Sequence, residues 1–303
     1  MNSFYGISIA ALLSLTACTH NNANDKPAAI VGDSAEVDAV IPSSEPEIEA
    51  VNVFKPKIQK INKELYYKAS CKQVVYATAK YNFDWPVEAP GFDIAPLQRN
   101  LIALLGGHQD TGIQSLINTC GYDFFCSCGG DELTWTKVET RGETLEPAEE
   151  GDRFFWGEPE HKMDIEFLGV DAERHLARFA VSLYAYTGSG VGAGILYFNQ
   201  IAYYLYDEQR MMTVFDVVTP QAKKSLLRRL NSRPINIDDY GCLNDTAIEE
   251  LPDNFFIEKG VIYFTFPKYE IACGADGNVT LGVRLSSLKE YLTPLGETFL
   301  SSQ

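Results

Sequence analysis

From Met163 to Ala185 the side chains alternate in a way that only paired β-strands with one buried face satisfy. Met163, Ile165 and Phe167 alternate with Asp164 and Glu166. After a turn near Asp171, Ala177, Phe179, Val181, Leu183 and Ala185 alternate with Arg178, Ser182, Tyr184 and Tyr186. Successive residues of a strand point to opposite faces, so a period of two sends one set to a core and the other to solvent, as in antiparallel sheets. A Gly-rich loop, Gly188 to Gly194, then leads to an aromatic strand from Ile195 to Tyr206.

The flanking signals complete an α+β pattern. Thr219-Pro220 reads as an N-cap with proline in the first turn, opening a helix to Asn231 that turns Ala222, Leu226, Leu227 and Leu230 inward. Phe255 to Phe266 reads as a hairpin turning at Lys259-Gly260, and Val279 to Leu285 as another strand. Ser287 with Glu290 has the spacing of a capping box for a short last helix through Leu292. Upstream, Lys72 to Phe83 is rich in strand formers, and Leu133 to Val138 is a short strand. Pro96 to Leu105 spaces Leu97, Leu101, Leu104 and Leu105 as one helix face, stopped by Gly106-Gly107. The charged stretch Arg141 to Gly151 marks a boundary near 150. The expectation is an α+β fold: a mainly antiparallel sheet with helices packed on one face, in two linked parts, 53–150 and 151–303.

The beginning of the chain carries an export signal. The first eighteen residues contain no Lys, Arg, Asp or Glu, and Ile7 to Leu15 is an apolar run too short for a hydrocarbon core of about 20 residues. It ends in Leu15-Thr16-Ala17-Cys18, which resembles a bacterial lipobox, where the Cys thiol takes a diacylglycerol. Residues 1–18 are therefore read as a lipoprotein signal peptide and Cys18 as the lipidated residue that holds the protein to a membrane. Thr19, in place of the Asp that resembles an inner-membrane retention signal, favours the outer membrane, facing the periplasm. Residues 19–52 are acidic, rich in Ala, Asn, Pro and Ser and free of aromatics, the composition of a flexible tether.

Charge and cysteines narrow the partners. The net charge of −16 opposes nucleic acid, whose binding rests on Lys and Arg meeting phosphate, and permits cationic partners. Beyond Cys18 there are six cysteines, Cys71, Cys120, Cys126, Cys128, Cys242 and Cys273, an even number that in an exported chain implies three disulfides. Cys242 pairs with Cys273 by position. Cys126 and Cys128 are too close to bridge each other, which leaves Cys71–Cys126 with Cys120–Cys128, or Cys71–Cys128 with Cys120–Cys126. The spacing of Cys120, Cys126 and Cys128 fits no familiar zinc pattern.

No catalytic constellation, cofactor motif or metal site is read from the sequence. His20, His108, His161 and His175 fall in no zinc-binding spacing. The Gly188 to Gly194 loop joins strands instead of opening a phosphate-cradling helix, and carboxylate pairs such as Asp131-Glu132 and Glu149-Glu150 are read as solvated charge. Tyrosines crowd neighbouring strands. Tyr184, Tyr186, Tyr197 and Tyr204 are the candidate binding residues, because Tyr anchors interfaces and sugar platforms.

Three segments carry a family resemblance. They are Met212 to Val218 (Met-Thr-Val-Phe-Asp-Val-Val), Gly260 to Ala272 (Gly-Val-Ile-Tyr-Phe-Thr-Phe-Pro-Lys-Tyr-Glu-Ile-Ala) and Val283 to Leu292 (Val-Arg-Leu-Ser-Ser-Leu-Lys-Glu-Tyr-Leu). Over roughly residues 160 to 293 the chain resembles the extracellular C-terminal domain of the anti-sigma-V factor RsiV, a domain also found in the peptidoglycan deacetylase PdaC and in bacterial lipoproteins. The resemblance implies a binding domain in the cell envelope, and its RsiV member recognises lysozyme, a basic protein. The expected function is a non-enzymatic envelope lipoprotein that captures a basic protein such as lysozyme. The alternatives are a cell-wall module contacting peptidoglycan glycans through the Tyr-rich strands, and a hydrolase with an unrecognised site.

Overall fold

The computed structural model describes residues 53–70, 74–129, 133–145, 155, 157–188, 195–232, 234–236, 247–272 and 277–301. Cys18, the tether, the Gly-rich loop beyond Gly188, and Cys71, Cys242 and Cys273 lie outside them, as do Asp131, Glu132, Glu149 and Glu150. Among the described residues no helix is long and apolar enough to cross a membrane.

A seven-stranded sheet organises the chain. Its strands are β1 (Lys57–Ser70), β2 (Val74–Glu88), β3 (Trp135–Val138), β4 (Glu160–Asp171), β5 (Leu176–Tyr186), β6 (Ile195–Leu205) and β7 (Arg210–Met211). Their order is β3-β1-β2-β4-β5-β6-β7, antiparallel throughout except for the parallel pair β2–β4. That pair joins the two expected parts in one sheet. The crossover between β2 and β4 carries α1 (Ala95–Leu104), α2 (Ile113–Gly129) and β3.

Alternation along each strand decides where the layers go. On one face, Ala77, Ala79, Tyr81, Phe83 and Trp85 of β2, Met163 and Ile165 of β4, and Ala177, Phe179 and Val181 of β5 are buried with Leu97 and Leu101 of α1 and Leu116, Ile117 and Phe125 of α2. On the other face, Leu176 of β5 and Tyr203 and Leu205 of β6 join a second core. That core is built on a four-stranded sheet, β8 (Ile235–Asn236), β11 (Val279–Arg284), β10 (Val261–Phe266) and β9 (Phe255–Glu258). It also takes residues from α3 (Val214–Val217), α4 (Lys223–Ser232) and α5 (Pro294–Ser301). Each buried Leu, Ile or Phe contributes roughly 1.5–3 kcal/mol. The cores thus divide along β5 and β6, residue by residue, and not at the expected boundary near 150.

Most predicted elements form. The hairpin turns at Lys259 and Gly260, both at positive φ (48° and 69°), the geometry of a tight two-residue connection. The capping box at Ser287 does not form. Leu285 to Tyr291 is a 3-10 segment, kinked at Leu288, and the Ser287 hydroxyl donates back to the Arg284 carbonyl. The cysteine cluster is helix α2, with free thiols at Cys120, Cys126 and Cys128. On a helix rising 1.5 Å per residue, Cys120 stands roughly 9 Å from Cys126 and roughly 12 Å from Cys128, beyond the ~7 Å limit for a bridge. Both pairings of Cys120 within the cluster are thereby overturned.

Candidate functional site

The second core covers only the β5–β6 end of its face of the large sheet, and the remainder of that face is polar. Register places matched residues in transverse rows. Asn62 lies opposite Asn82, Asn82 opposite Asp164, Asp164 opposite Ser182, and Ser182 opposite Asn199. One step along, Glu64, Lys80, Lys162, Tyr184 and Tyr197 form a second row in the same way. These are the outward members of the alternation that buries Phe83, Ile165 and Val181 beneath them.

The first row is preorganised by its own hydrogen bonds. The Asn82 amide donates to Asp164 Oδ1 (2.7 Å), the Ser182 hydroxyl donates to Asp164 Oδ2 (3.3 Å), and Lys162 Nζ stands 3.1 Å from Oδ2. Beside it, Asp84 accepts from the Phe167 backbone N–H (3.2 Å) and faces Lys60 at 3.3 Å. A cavity of about 460 Å³ lies over these groups, with the Glu166 carboxylate in its wall. Its size fits a small ligand, although the walls are more polar than most pockets of that volume. The far end is crossed by the segment after β3. Thr144 donates to Glu158 Oε1 (2.7 Å), Arg141 pairs with Glu158, and Gly142 rests on the Tyr76 ring, where a Cβ would stand 2.3 Å from the hydroxyl.

The four predicted tyrosines part company here. Tyr184 and Tyr197 are directly opposite on β5 and β6, and Tyr197 is 52% exposed. Tyr186 lies two residues on, opposite Glu160 and Ile195. Burial first, then the nearby Glu160 and Tyr186, push the Tyr184 phenol above its ordinary value, so it stays a neutral donor. Tyr204 points the other way. It is 1% exposed, packed at 6.2 Å from the Phe54 ring, and is a core residue instead of a binding residue. Sequence reading missed Asn62, Asn82, Asp164, Ser182 and Asn199. Alternation marked Asp164 and Ser182 as outward, but their alignment with β1 and β2 depends on the parallel β2–β4 pairing, for which local sequence carries no signal.

The histidines stay apart. His161 is buried, His175 is paired with Asp207 at a turn (2.5 Å), and His108 is exposed in the α1–α2 connection. Among the described residues no group of three His, Cys, Asp or Glu is placed to hold a metal ion.

At the β7 edge of the large sheet, one ionic node locks β7 to α3. Arg210 donates to both Asp216 oxygens (2.8 and 2.6 Å), and Asp216 also accepts from the Thr213 backbone N–H and hydroxyl. Burial alone would raise the Asp216 pKa, but the Arg210 and Thr213 bonds outweigh it and hold the carboxyl below its usual range.

Residues 209–286 match the family model DUF3298, described as a protein of unknown function. The DUF3298 segment starts at this node and runs through the second layer, so the open face of β1, β2, β4 and β5 lies outside it. A crystal structure of a DUF3298 family member from Bacteroides fragilis is 15% identical, with a TM-score of 0.58, and the match covers 83% of this chain and 99% of that one. The likeness is one of fold. A DUF3298 family protein from Pseudomonas aeruginosa is 11% identical with a TM-score of 0.45, covering 80% and 96%. No curated protein matches the chain.

Proposed function

We propose that this protein is an envelope-exposed, lipid-anchored binding module whose open sheet face contacts the glycan of the cell wall. The observation that carries the reading is the Tyr184–Tyr197 pair standing beside the bonded Asn82–Asp164–Ser182 row. Aromatic faces stack on sugar rings while amides, hydroxyls and carboxylates meet sugar hydroxyls, and such a row spans five strands of about 4.8 Å spacing, long enough for several rings. Anchorage through Cys18, oxidised Cys242–Cys273 and an outer-membrane position belong to the same proposal, supported by the lipobox, by Thr19 after it and by the placing of both cysteines in the C-terminal part of the chain.

The alternative, capture of a basic protein such as lysozyme, draws its support from the RsiV-type resemblance and the charge of −16. That charge is unevenly distributed. The described residues hold 24 carboxylates and 21 Lys or Arg, a net of −3, and the remaining −13 falls elsewhere. The open face itself mixes Lys60, Lys80 and Lys162 with Asp84, Asp164 and Glu166. This balance favours the glycan reading.

Co-sedimentation with purified peptidoglycan tests it. The full chain is expected to pellet with the polymer, and Tyr184→Ala with Tyr197→Ala to weaken binding about tenfold or more, given roughly 1 kcal/mol per aromatic contact. Lysozyme in a parallel pull-down separates the two readings. Retention of lysozyme, with none of the chain pelleting with peptidoglycan, retires the glycan reading.

A further inference from the structure

Glu166 and Arg178 are unpaired charges on one face of the large sheet. Along β5 the positions on that face run Tyr184, Ser182, Ala180 and Arg178, and register sets Ala180 opposite Glu166 of β4 and Arg178 opposite Tyr203 of β6. Glu166 stands in the wall of the cavity of about 460 Å³. Arg178 stands in the wall of a smaller one, about 160 Å³, with Tyr203, Ile257 and Lys259, where the second layer meets the sheet.

The other charges of both walls are paired. Asp164 is bonded to Asn82, Ser182 and Lys162, and Asp84 faces Lys60. Arg174 is bonded to Asp171 and Thr298, and Lys259 Nζ stands 3.2 Å from Glu258. Glu166 and Arg178 are exposed, and their side chains make no ion pair or hydrogen bond among the described residues. They occupy diagonal positions on neighbouring strands, about 7–8 Å apart, with only the Ala180 methyl beside the gap. Tyr203 adds a donor next to Arg178. Its hydroxyl accepts from the Ile257 N–H (2.9 Å) and keeps its own proton to give. A carboxylate on one side of a gap, and a guanidinium with a phenol on the other, complement a ligand that carries both signs of charge on adjacent atoms.

We propose that this end of the open face binds a zwitterionic amino-acid group, with its ammonium at Glu166 and its carboxylate at Arg178. The proposal rests on the cell-wall reading and names the part of the wall: a peptide residue with a free ammonium and a free carboxylate on one carbon, as at the unlinked end of a diamino diacid. The tyrosine platform fits that assignment by length. Ala180 is four positions from Tyr184 along β5, roughly 13 Å at about 3.3 Å per residue. A peptide of about four extended residues spans that distance from a sugar stacked on the tyrosines.

Titration calorimetry on the full chain tests the charge pattern with meso-diaminopimelate. Pimelate is the same diacid without ammonium groups, and cadaverine is the matching diamine without carboxylates. Saturable binding of diaminopimelate and none of either control is expected. Glu166→Gln and Arg178→Gln are each expected to weaken it about tenfold, as loss of a charge-assisted bond does, with the melting temperature unchanged. The chain with Tyr184→Ala and Tyr197→Ala is expected to keep this affinity while its hold on peptidoglycan weakens, which separates the charge pair from the platform. No binding of diaminopimelate, equal binding of either control, or unchanged affinity in both charge variants overturns the proposal, and pelleting of the full chain with peptidoglycan in that case leaves the glycan reading standing. Diaminopimelate binding by a chain that does not pellet retires the glycan reading and keeps the zwitterion site.

Discussion

His161 shows how one position on a strand sets both packing and acid sensitivity. It lies between Glu160 and Lys162, which face outward, so alternation sends its imidazole inward. There it packs at 5.2 Å from the Phe124 ring of α2 and 6.2 Å from Tyr81 of β2, with no partner for Nδ1 among the described residues. Burial lowers its pKa from 6.5 to about 4. The folded state therefore binds fewer protons than the unfolded chain between those values, and stability rises with pH across that window. Acidification from pH 7 to pH 4 is expected to cost roughly 3 kcal/mol through this residue alone. His161→Leu, of similar volume, is expected to flatten that part of the profile. Urea denaturation at pH 7 and pH 4 checks this, and equal slopes in both proteins would remove His161 as the cause. Tyr204 follows the same logic of facing. It neighbours Tyr203, and the two point into different cores, which is why the sequence's cluster of tyrosines divides into platform and core only once the sheet has formed.

At the scale of elements, α2 depends on one close approach. The Gly121 N–H donates to the Tyr81 hydroxyl (3.0 Å), and a Cβ at Gly121 would stand 2.6 Å from the Ala79 Cβ and 2.8 Å from that hydroxyl. Gly121→Ala is therefore expected to destabilise by about 1–3 kcal/mol through overpacking, despite alanine's better helix propensity. Thermal melts of Gly121→Ala, with Gly112→Ala as the exposed control, measure it. The helix had a sequence signal that the cysteines obscured. Ile113, Leu116, Ile117, Cys120, Phe124 and Cys128 recur at spacings of three and four, with Leu116 and Ile117 buried. Strand β1 had almost none. β3 covers only Tyr66 to Ala69, so Lys57 to Leu65 is an outer edge, and Lys57, Lys60 and Lys63 on it break the apolar alternation. Strands β4 and β5 were readable because each buries one face for most of its length. The helix at Pro96 was readable because Pro near its start and Gly106 at φ 79° just past its end mark both limits locally.

At the scale of the molecule, the large sheet presents three surfaces of different chemistry. One face is closed by α1 and α2, part of the other by the four-stranded layer, and the rest carries the rows of Asn, Asp, Lys, Ser and Tyr. Long-range attraction falls off over about 8 Å at physiological ionic strength, whereas stacking and short hydrogen bonds are little screened. The two readings of function therefore differ in their response to salt. A body of net −3 meeting glycan through Tyr184, Tyr197 and the Asp164 row is expected to keep its affinity for peptidoglycan within about threefold between 50 and 500 mM NaCl, as screening of a near-neutral face allows. Capture of a basic protein by the other −13 charges is expected to fall steeply over the same range. Sedimentation with peptidoglycan across that salt series reads the difference directly. A loss of binding that tracks ionic strength would move the contact away from the tyrosine pair and toward the acidic segments, because only fixed charge at a distance responds to salt in that way.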